Sequence, residues 1–554
     1  MPPESSVGFA PADWALFGFT ALLLAAAFVW RRGLQRALST LALNSRACAV
    51  LVFALPIALR LLLLPRHPAP AAEASNEFSH LLVADTLLHG RLANPAHSLH
   101  QFFETAFVLQ QPTYSSMYPM GEGAAQALGR LISGIPWTGV LIATGTFCAA
   151  CYWMLRGWLP PLWALLGGIF AIVEFGPLCQ WTNSYSGGSL AAAAGCLVFG
   201  ALPRLRDYGR PRDALLLGIG LGISLLTQPF ESLFLLAAVI LFFVQRPALL
   251  RVCGFAAVAV IPLMLVMLLQ NRAVTRSWTT LPEQLHTYQY GIPTPLTINP
   301  LPTPHVRLTA QQETEYKVES LQHGQGSDSL DKFLLRLEYR VRFYRFFFLP
   351  PLYLALFAFL FTLRHQWWLA ATLAIFAFGT NLSLNSPIDS LAIVTSLFVL
   401  ASVLGLREVS RIRIHNNPIG FEIATVLIVL SLGDFAGWYS LHLFENPSLY
   451  PLLRYETWDS LNHDHPQRRT AVKRQLTQID GQLLVFVRYG PHHMYLNEWV
   501  WNEADIDHAR IVFARDLGPQ ENEKLIHYYP KRKVLLLEPD TSEPKVQDYQ
   551  GELH

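Results

Sequence analysis

Long apolar stretches recur along most of this chain, separated by polar connections. A helix needs roughly 17 to 25 mainly apolar residues to cross the hydrocarbon core of a bilayer. Such stretches run from Trp14 to Trp30, from Ala47 to Leu64 and, last, from Phe421 to Trp438. Others are centred near Ile142, Ile169, Ala194, Ile219, Leu236, Val260, Leu356, Ala374 and Val394. The pattern predicts an α-helical polytopic membrane protein with about twelve transmembrane helices.

Arginines indicate which connections face the cytoplasm, because short positively charged loops stay on that side of the membrane. They follow the first, fifth and later odd-numbered spans, at positions that include Arg31, Arg36, Arg204, Arg212, Arg251 and Arg407. By alternation, the long polar segments 66–133 and 271–342 lie outside, as does the tail 441–554. We therefore expect a multi-pass protein of the cell (inner) membrane, with residues 1–440 in the membrane domain and both termini extracytoplasmic.

Composition agrees with a membrane location. The chain has 52% hydrophobic and 14% charged residues, and its mean hydropathy is +0.30, whereas soluble proteins average about 25% charged residues. A net charge of +2 gives no reason to expect a nucleic-acid partner. His and Cys residues lack metal-ligand spacing, so no cofactor is firmly implied, and a divalent ion held by carboxylates stays open.

The tail differs in composition from the membrane domain. Three short aliphatic runs are typical of buried strands, at Gln482 to Tyr489, Arg510 to Asp516 and Lys533 to Glu538. Helical patterns alternate with them, at Arg469 to Ile479 and Gln520 to Tyr529. We expect a small, separate extracytoplasmic α/β domain whose end, Pro544 to His554, is frayed.

The first outer loop, 66–133, carries candidate chemistry. Glu77, His80 and Ala84 fall on one helical face at i, i+3 and i+7, with Asp85 beside them. A short helix would therefore present a carboxylate and an imidazole together. An exposed loop also carries charges without any function, which would make Glu73 as interesting as Glu77, and the periodicity does not separate the two interpretations.

Four acids lie near the outer ends of predicted spans: Glu174, Glu231, Asp389 and Asp434. Carboxylates are costly in the hydrocarbon region and tend to line cavities there. Each could instead cap a helix or reach the headgroups. Together they predict one polar chamber that opens to the exterior.

Several motifs resemble those of the GT-C superfamily, which includes protein O-mannosyltransferases, lipid A aminoarabinose transferases and family-39-like bacterial glycosyltransferases. The resemblance rests on Asn76-Glu77-Phe78-Ser79-His80, the run Leu81 to Pro95, Tyr118-Pro119-Met120-Gly121 and Thr227-Gln228-Pro229-Phe230-Glu231. The chain departs from the family pattern at Asn76, Met120 and Gln228, where Asp, Pro and Arg are expected. It also has Asn385-Ser386-Pro387 where relatives have a His-Tyr pair.

The resemblance implies a glycosyltransferase that moves a sugar from a polyprenyl phosphate donor in the bilayer to an extracytoplasmic glycan, lipid or protein. Inverting single displacement needs a base for the acceptor hydroxyl and cationic or N–H groups for the phosphate. Glu77 would be the base, supported by Asp85 or Glu104. The substrate-binding candidates are His80, Arg91, Tyr114, Tyr118, Glu174, Glu231, Arg272, Arg276 and Asp389, and His286 is a further candidate for the phosphate.

Two other functions stay open. A transporter or lipid flippase would also have many spans and buried acids, but it predicts inverted repeats and charges near the bilayer midplane. A non-catalytic relative that binds a lipid-linked sugar is favoured by the departures at Asn76, Met120 and Gln228.

Overall fold

The structure is a computed structural model that describes residues 11–244, 251, 253–323, 328–361, 366–384, 388–415, 417–444, 466–541 and 543–550. The first half of the described chain contains helices α1 (Pro11–Leu43), α2 (Ser45–Leu62), α3 (Ser75–Leu88), α4 (Met120–Ser133), α5 (Trp137–Trp158), α6 (Pro161–Phe175), α7 (Gln180–Asn183), α8 (Ser189–Tyr208), α9 (Pro211–Thr227), α10 (Pro229–Val244) and α11 (Cys253–Thr275). The second half contains α12 (Pro282–Tyr290), α13 (Ala310–His323), α14 (Leu330–Phe343), α15 (Tyr353–Leu360), α16 (Trp367–Thr380), α17 (Thr395–Ser410), α18 (Ile419–Phe444), α19 (Pro466–Thr477) and α20 (Pro519–Tyr528). The two extreme termini lie outside the described residues.

Apolar helices dominate residues 11–444, as the pattern predicts. Five described segments are long and apolar enough to cross a membrane: Ser45–Leu62, Trp137–Trp158, Cys253–Thr275, Asp389–Ser410 and Ile419–Phe444. A sixth is added if Leu330–Phe347 and Pro350–Leu360, which meet at 110°, form one span. Shorter apolar segments are Gly18–Val29, Pro161–Phe175, Pro229–Val244 and Trp367–Thr380. A helical membrane protein is confirmed, and the count of twelve spans stays a prediction.

Small residues let the central helix α8 pack closely with its neighbours. Ala191 to Ala194 are buried, and a Cβ on Gly195 would lie 1.8 Å from the carbonyl oxygen of Ile393. Close approach of backbones through small residues is how membrane helices gain packing contacts. The 3₁₀ segment Ile388–Val394 is therefore held directly against α8.

The first outer loop forms a compact unit on the membrane domain. The predicted short helix is present as α3, followed by strands β1 (Asn94–Pro95), β2 (Val108–Leu109) and β3 (Thr113–Ser116). β3 is the central strand and pairs antiparallel with both neighbours. The turn after β3 leads directly into α4, so α3, β3 and α4 surround the Tyr118 region.

The tail contains a four-stranded sheet made of β4 (Leu483–Val487), β5 (Ile511–Arg515), β6 (Lys533–Glu538) and β7 (Lys545–Asp548). The strand order is β5-β4-β6-β7, with β4 parallel to β5 and β6. The predicted strands and helices are present with small differences at their ends. The expected fraying after Pro544 is wrong, because Lys545–Asp548 pair antiparallel with β6. This edge strand is polar and mostly exposed, so it lacks the apolar pattern of a buried strand.

The tail packs against the first outer loop of the membrane domain, and its assignment as a separate domain stays a prediction. One face of the sheet is covered by α19, but the other face shares a core with the first outer loop. Phe102 and Phe103 of that loop are fully buried together with Leu484 and Phe486 of β4. Burying one such aromatic side chain stabilises an interface by about 1.5–3 kcal/mol. The loop and the tail therefore form one packed unit.

Candidate active-site chamber

The turn that contains Tyr118 is fixed by the C-terminal end of α11. The side-chain oxygen of Gln270 accepts a hydrogen bond from the Met120 N–H (3.1 Å), and its amide nitrogen donates to the Tyr118 carbonyl (3.2 Å). A small, partly open cleft lies beside this turn. Its lining is mixed, with apolar and polar side chains from Met117, Pro119, Leu225, Pro229, Met267, Gln270, Asn271, Leu281, Pro282 and Glu283.

Carboxyl groups from several chain segments face the same region. Glu283 and Asp389 both act electrostatically on the Tyr118 hydroxyl. Asp389 also acts on Glu122, and Glu283 acts on Glu231. These side chains therefore lie within electrostatic range of one another, and we call this group of residues the outer chamber. Burial, followed by these two charges, raises the pKa of Tyr118, so its hydroxyl stays protonated.

Three of the four chamber acids lie in the first turn of an α-helix. Glu122 belongs to the start of α4, Glu231 to α10 and Glu283 to α12. Helix N-termini carry partial positive charge and unpaired N–H groups, which stabilise nearby carboxylates and other anions. The chamber is therefore built from helix starts, with acids placed where the backbone favours negative charge.

Glu122 is a chamber acid that can exchange a proton near neutral pH. Burial raises its pKa to about 7, and the charge of Asp389 adds to that rise, while backbone hydrogen bonds from Gly188 and Ala191 lower it. The Gly188 N–H lies 3.1 Å from Oε1. Gly187 has φ +93°, and a Cβ there would lie 2.7 Å from the Glu122 carboxyl carbon. Only glycine allows this close backbone approach.

Asp389 is held by two long-range contacts. The Trp181 indole N–H donates to its Oδ1 (2.6 Å), and the Gln228 side chain donates to its main-chain carbonyl (2.8 Å). The break between α9 and α10 is thereby connected to the 3₁₀ segment Ile388–Val394 that precedes α17. The neighbouring sequence motif Asn385-Ser386-Pro387 lies outside the described residues.

Glu77, the predicted base, has both carboxylate oxygens engaged by main-chain N–H groups. Oε2 accepts from Glu73 (2.8 Å) and Ala74 (2.9 Å), and Oε1 accepts from Tyr185 (2.8 Å). Burial raises the pKa of Glu77, while these hydrogen bonds and the charge of Arg469 lower it. This geometry caps α3 and ties it to the connection between α7 and α8.

His80 lies one turn further along α3 and stacks on the Tyr118 ring, with centroids 4.5 Å apart and planes 21° apart. Burial lowers the pKa of His80 to about 4, so the imidazole is neutral at pH 7. Within the described part of the chain, no hydrogen-bond partner reaches its buried Nδ1. A neutral, buried imidazole therefore lies beside the Tyr118 ring.

Comparisons with known proteins support the fold. No family model matches the sequence, and no curated protein sequence matches it either. ArnT from Cupriavidus metallidurans in the apo state has a similar structure, with TM-score 0.50 and 11% identity over 88% of this chain and 92% of that chain. This chain has a GT-C-like fold.

Two other similar structures are of the Archaeoglobus fulgidus oligosaccharyltransferase. One is tethered with an acceptor peptide and has TM-score 0.42 and 11% identity, covering 80% of this chain and 62% of that chain. This chain therefore spans less than two thirds of that enzyme. The other, named AglB, is in complex with an inhibitory peptide and a dolichol-phosphate, with TM-score 0.36 and 12% identity over 88% and 69%.

In this GT-C-like fold the three predicted catalytic acids do not meet. Asp85 accepts from Arg130 (2.8 Å) and from the Ala504 N–H of the tail (2.7 Å). Glu104 accepts from the Tyr290 hydroxyl (2.8 Å). Tyr114, predicted to bind substrate, donates to the Asn502 carbonyl (3.0 Å). These contacts join the outer loops to each other and to the tail.

The other predicted substrate contacts are spread over several parts of the structure. Arg91 is exposed, Arg272 donates to the Arg276 carbonyl, and His286 donates to the Ile292 carbonyl. The carboxyl oxygens of Glu174 are buried in α6 and have no hydrogen-bond partner among the described residues. Within those residues, no group of three His, Cys, Asp or Glu side chains could hold a metal ion.

Sequence reasoning did not select Glu122 and Glu283 as site residues. The available signal is their position, since each follows a proline-containing turn and falls in the first turn of a helix. What relates them is the position of Glu283 near Tyr118, four residues before Glu122, and no local pattern encodes this.

Proposed function

We propose that the protein is a membrane glycosyltransferase that transfers a sugar from a polyprenyl phosphate carrier to an extracytoplasmic glycan, lipid or protein. The outer chamber is the observation that carries this proposal. Its acids and Tyr118 suit a hydroxyl-rich sugar, and the adjoining cleft has apolar Met117, Leu225 and Met267 for the start of an isoprenoid chain. About twelve spans, an inner-membrane location and outward-facing loops are part of the same proposal.

In the proposed reaction the acceptor oxygen attacks the anomeric carbon as the bond from that carbon to the phosphate oxygen breaks. The configuration inverts, the acceptor proton moves to a carboxylate, and the polyprenyl phosphate leaves. We propose Glu122 as the proton acceptor, because its pKa of about 7 lets it be deprotonated at neutral pH and still bind a proton. The main-chain contacts of Glu77 support a capping role instead.

The leaving phosphate needs N–H and O–H donors. We propose the Tyr118 hydroxyl, His80 and the starting N–H groups of α4 and α12, because anions bind well at helix N-termini. Arg272 is a further candidate, since it is the next residue in the chain after Asn271, which lines the cleft. Glu231 and Asp389 then contact the sugar from the membrane side of the chamber.

The test is transfer of label from a panel of polyprenyl phosphate sugars by the purified protein in lipid. We expect label on an acceptor or in water with the wild type and with Glu313→Gln, whose side chain is exposed on α13. Glu122→Gln should lose at least about a hundredfold in rate, the lower range for a general base. Full turnover by Glu122→Gln contradicts the assignment of the base.

The alternative, a non-catalytic relative, has one specific observation in its favour. Asn76 has an amide at the position where the family pattern has a carboxylate, and this amide donates to the Ser186 hydroxyl (3.1 Å). Donor binding without turnover in the wild type, with turnover gained in Asn76→Asp, would support this alternative. Neither binding nor turnover with any donor would favour a transporter.

A further inference from the structure

A short segment of the tail runs along the first outer loop and is hydrogen-bonded to it. The Leu496 carbonyl accepts from both the N–H (3.1 Å) and the hydroxyl (2.8 Å) of Ser75. One turn further along α3, the Trp501 indole donates to the Phe78 carbonyl (3.1 Å). We call residues Tyr495–Ala504 the strap. Its Ala504 N–H donates to Asp85, so the strap follows α3 from the first residue to the last turn.

The strap also reaches the second outer loop. Tyr495 is buried in one cluster with Tyr290 and Ile292 from that loop. Its ring also meets Phe107 of the first loop, at 6.0 Å between centroids. The two loops that carry chamber acids Glu122 and Glu283 are therefore both packed against the same piece of the tail.

Arg515, at the end of β5, connects all three extracytoplasmic pieces with one guanidinium. Its Nη2 pairs with Glu498 of the strap (2.9 Å), and its Nη1 donates to Gln311 of the second loop (2.9 Å). Its Nε donates to the Glu104 carbonyl of the first loop. Arg515 is only 5% exposed, so these contacts are shielded from water. The planar guanidinium has separate N–H donors for the three partners, whereas the lysine side chain ends in a single ammonium nitrogen.

We propose that the tail positions the outer chamber, with Arg515 as the positioning residue that fixes the two outer loops relative to each other. The kinetic part of this inference rests on the proposed glycosyltransferase function. The structural part does not, because it concerns the order of the loops in the protein without substrate. Arg515 lies apart from the chamber acids in sequence and acts through the loops that carry them.

The experiment is hydrogen–deuterium exchange on the full chain in lipid, comparing the wild type, Arg515→Lys and Arg488→Lys. Arg488 is the matched control, since it directly follows β4 but is half-exposed and its guanidinium pairs with Asp516 and Glu538 of the tail itself. In Arg515→Lys we expect exchange to rise at least about tenfold in 104–109 and 310–323, because a hydrogen bond from a charged group is lost to each. The strands β4 and β6 should keep their protection, and Arg488→Lys should match the wild type.

Unchanged exchange of both loops in Arg515→Lys overturns the proposal. If β4 and β6 also exchange faster in Arg515→Lys, the variant Gln311→Ala provides the test, because it removes only the contact between Arg515 and the second loop. Exchange should then rise in 310–323 alone, and no rise there also overturns the proposal. Where a donor turns over, Arg515→Lys should lower kcat about tenfold with a smaller change in KM, since the acids are misplaced while the cleft stays intact. Faster loop exchange in Arg515→Lys, with no sugar transfer by the wild type, would contradict the proposed function but still support the positioning role of Arg515.

Discussion

Replacing Glu77 by Gln tests whether this residue holds structure or performs chemistry. The carboxylate accepts three main-chain hydrogen bonds, two on Oε2 and one on Oε1. Glutamine has one carbonyl oxygen, which can serve Glu73 and Ala74, but its NH₂ group would then face the Tyr185 N–H. One charge-assisted bond is lost, and two donors are left opposing each other in a buried place.

The free-energy cost of Glu77→Gln follows from these changes in hydrogen bonding. A hydrogen bond to a charged group contributes about 1.5–3 kcal/mol, and a buried donor without a partner costs about 1–3 kcal/mol. The two terms overlap, so we expect about 2–4 kcal/mol less resistance to local opening at the start of α3. At about 1.4 kcal/mol per factor of ten, amide exchange there should be faster by about 30-fold to 1,000-fold.

The assay is site-resolved hydrogen exchange in 73–80 and 181–186, with Glu313→Gln as the exposed control. Local exchange is preferable to a melting temperature, because a chain of many packed helices and a tail does not unfold in one step. Exchange that stays at the wild-type level in Glu77→Gln, together with abolished sugar transfer, would refute the capping role and restore Glu77 as the base.

Three further predictions concern the chamber and the loops. Wild-type kcat/KM should rise with pH and level off above about 7, because burial raises the pKa of Glu122 and the deprotonated form is the base; the pH–rate profile of Glu122→Gln should lack this limb. Gly188→Ala should abolish binding of the sugar donor, because φ at Gly188 is +110° and the added Cβ would lie 2.4 Å from the Trp181 indole nitrogen. The control Gly134→Ala, where φ is +79° and no atom lies within 4 Å of the added Cβ, should bind the donor normally. Tyr290→Phe removes the donor to Glu104 and should speed exchange in 282–290 about tenfold.

The sequence predicted the elements that depend on local pattern. Apolar stretches predicted helices in the membrane domain, and the spacing of Glu77 and His80 predicted α3, because both signals reflect the period of the helix itself. The same geometry argues against joint catalysis by Glu77 and Asp85. Eight residues along a helix with a rise of 1.5 Å per residue separate them by about 12 Å.

The contacts between distant segments could not be predicted in this way. Phe102 and Phe103 look like ordinary apolar residues of a loop, and only the assembled sheet shows that they complete its core. Likewise, Glu122 and Asp389 are far apart in the chain, and their meeting depends on the position of α4 against the connection between α7 and α8. Local sequence propensity carries no information about contacts between such distant residues. The chamber could therefore be identified only from the structure.

The departure from the family pattern at Gln228 bears directly on the proposed base. The Gln228 amide contacts the main-chain carbonyl of Asp389 and brings no positive charge to its carboxylate. The charge of Asp389 consequently acts on Glu122 and adds to the rise of its pKa. An arginine at this position would offset that charge. We therefore expect Gln228→Arg to lower the pKa of Glu122 and shift the rising limb of the pH–rate profile to lower pH, whereas an unshifted limb would show that Asp389 does not tune Glu122.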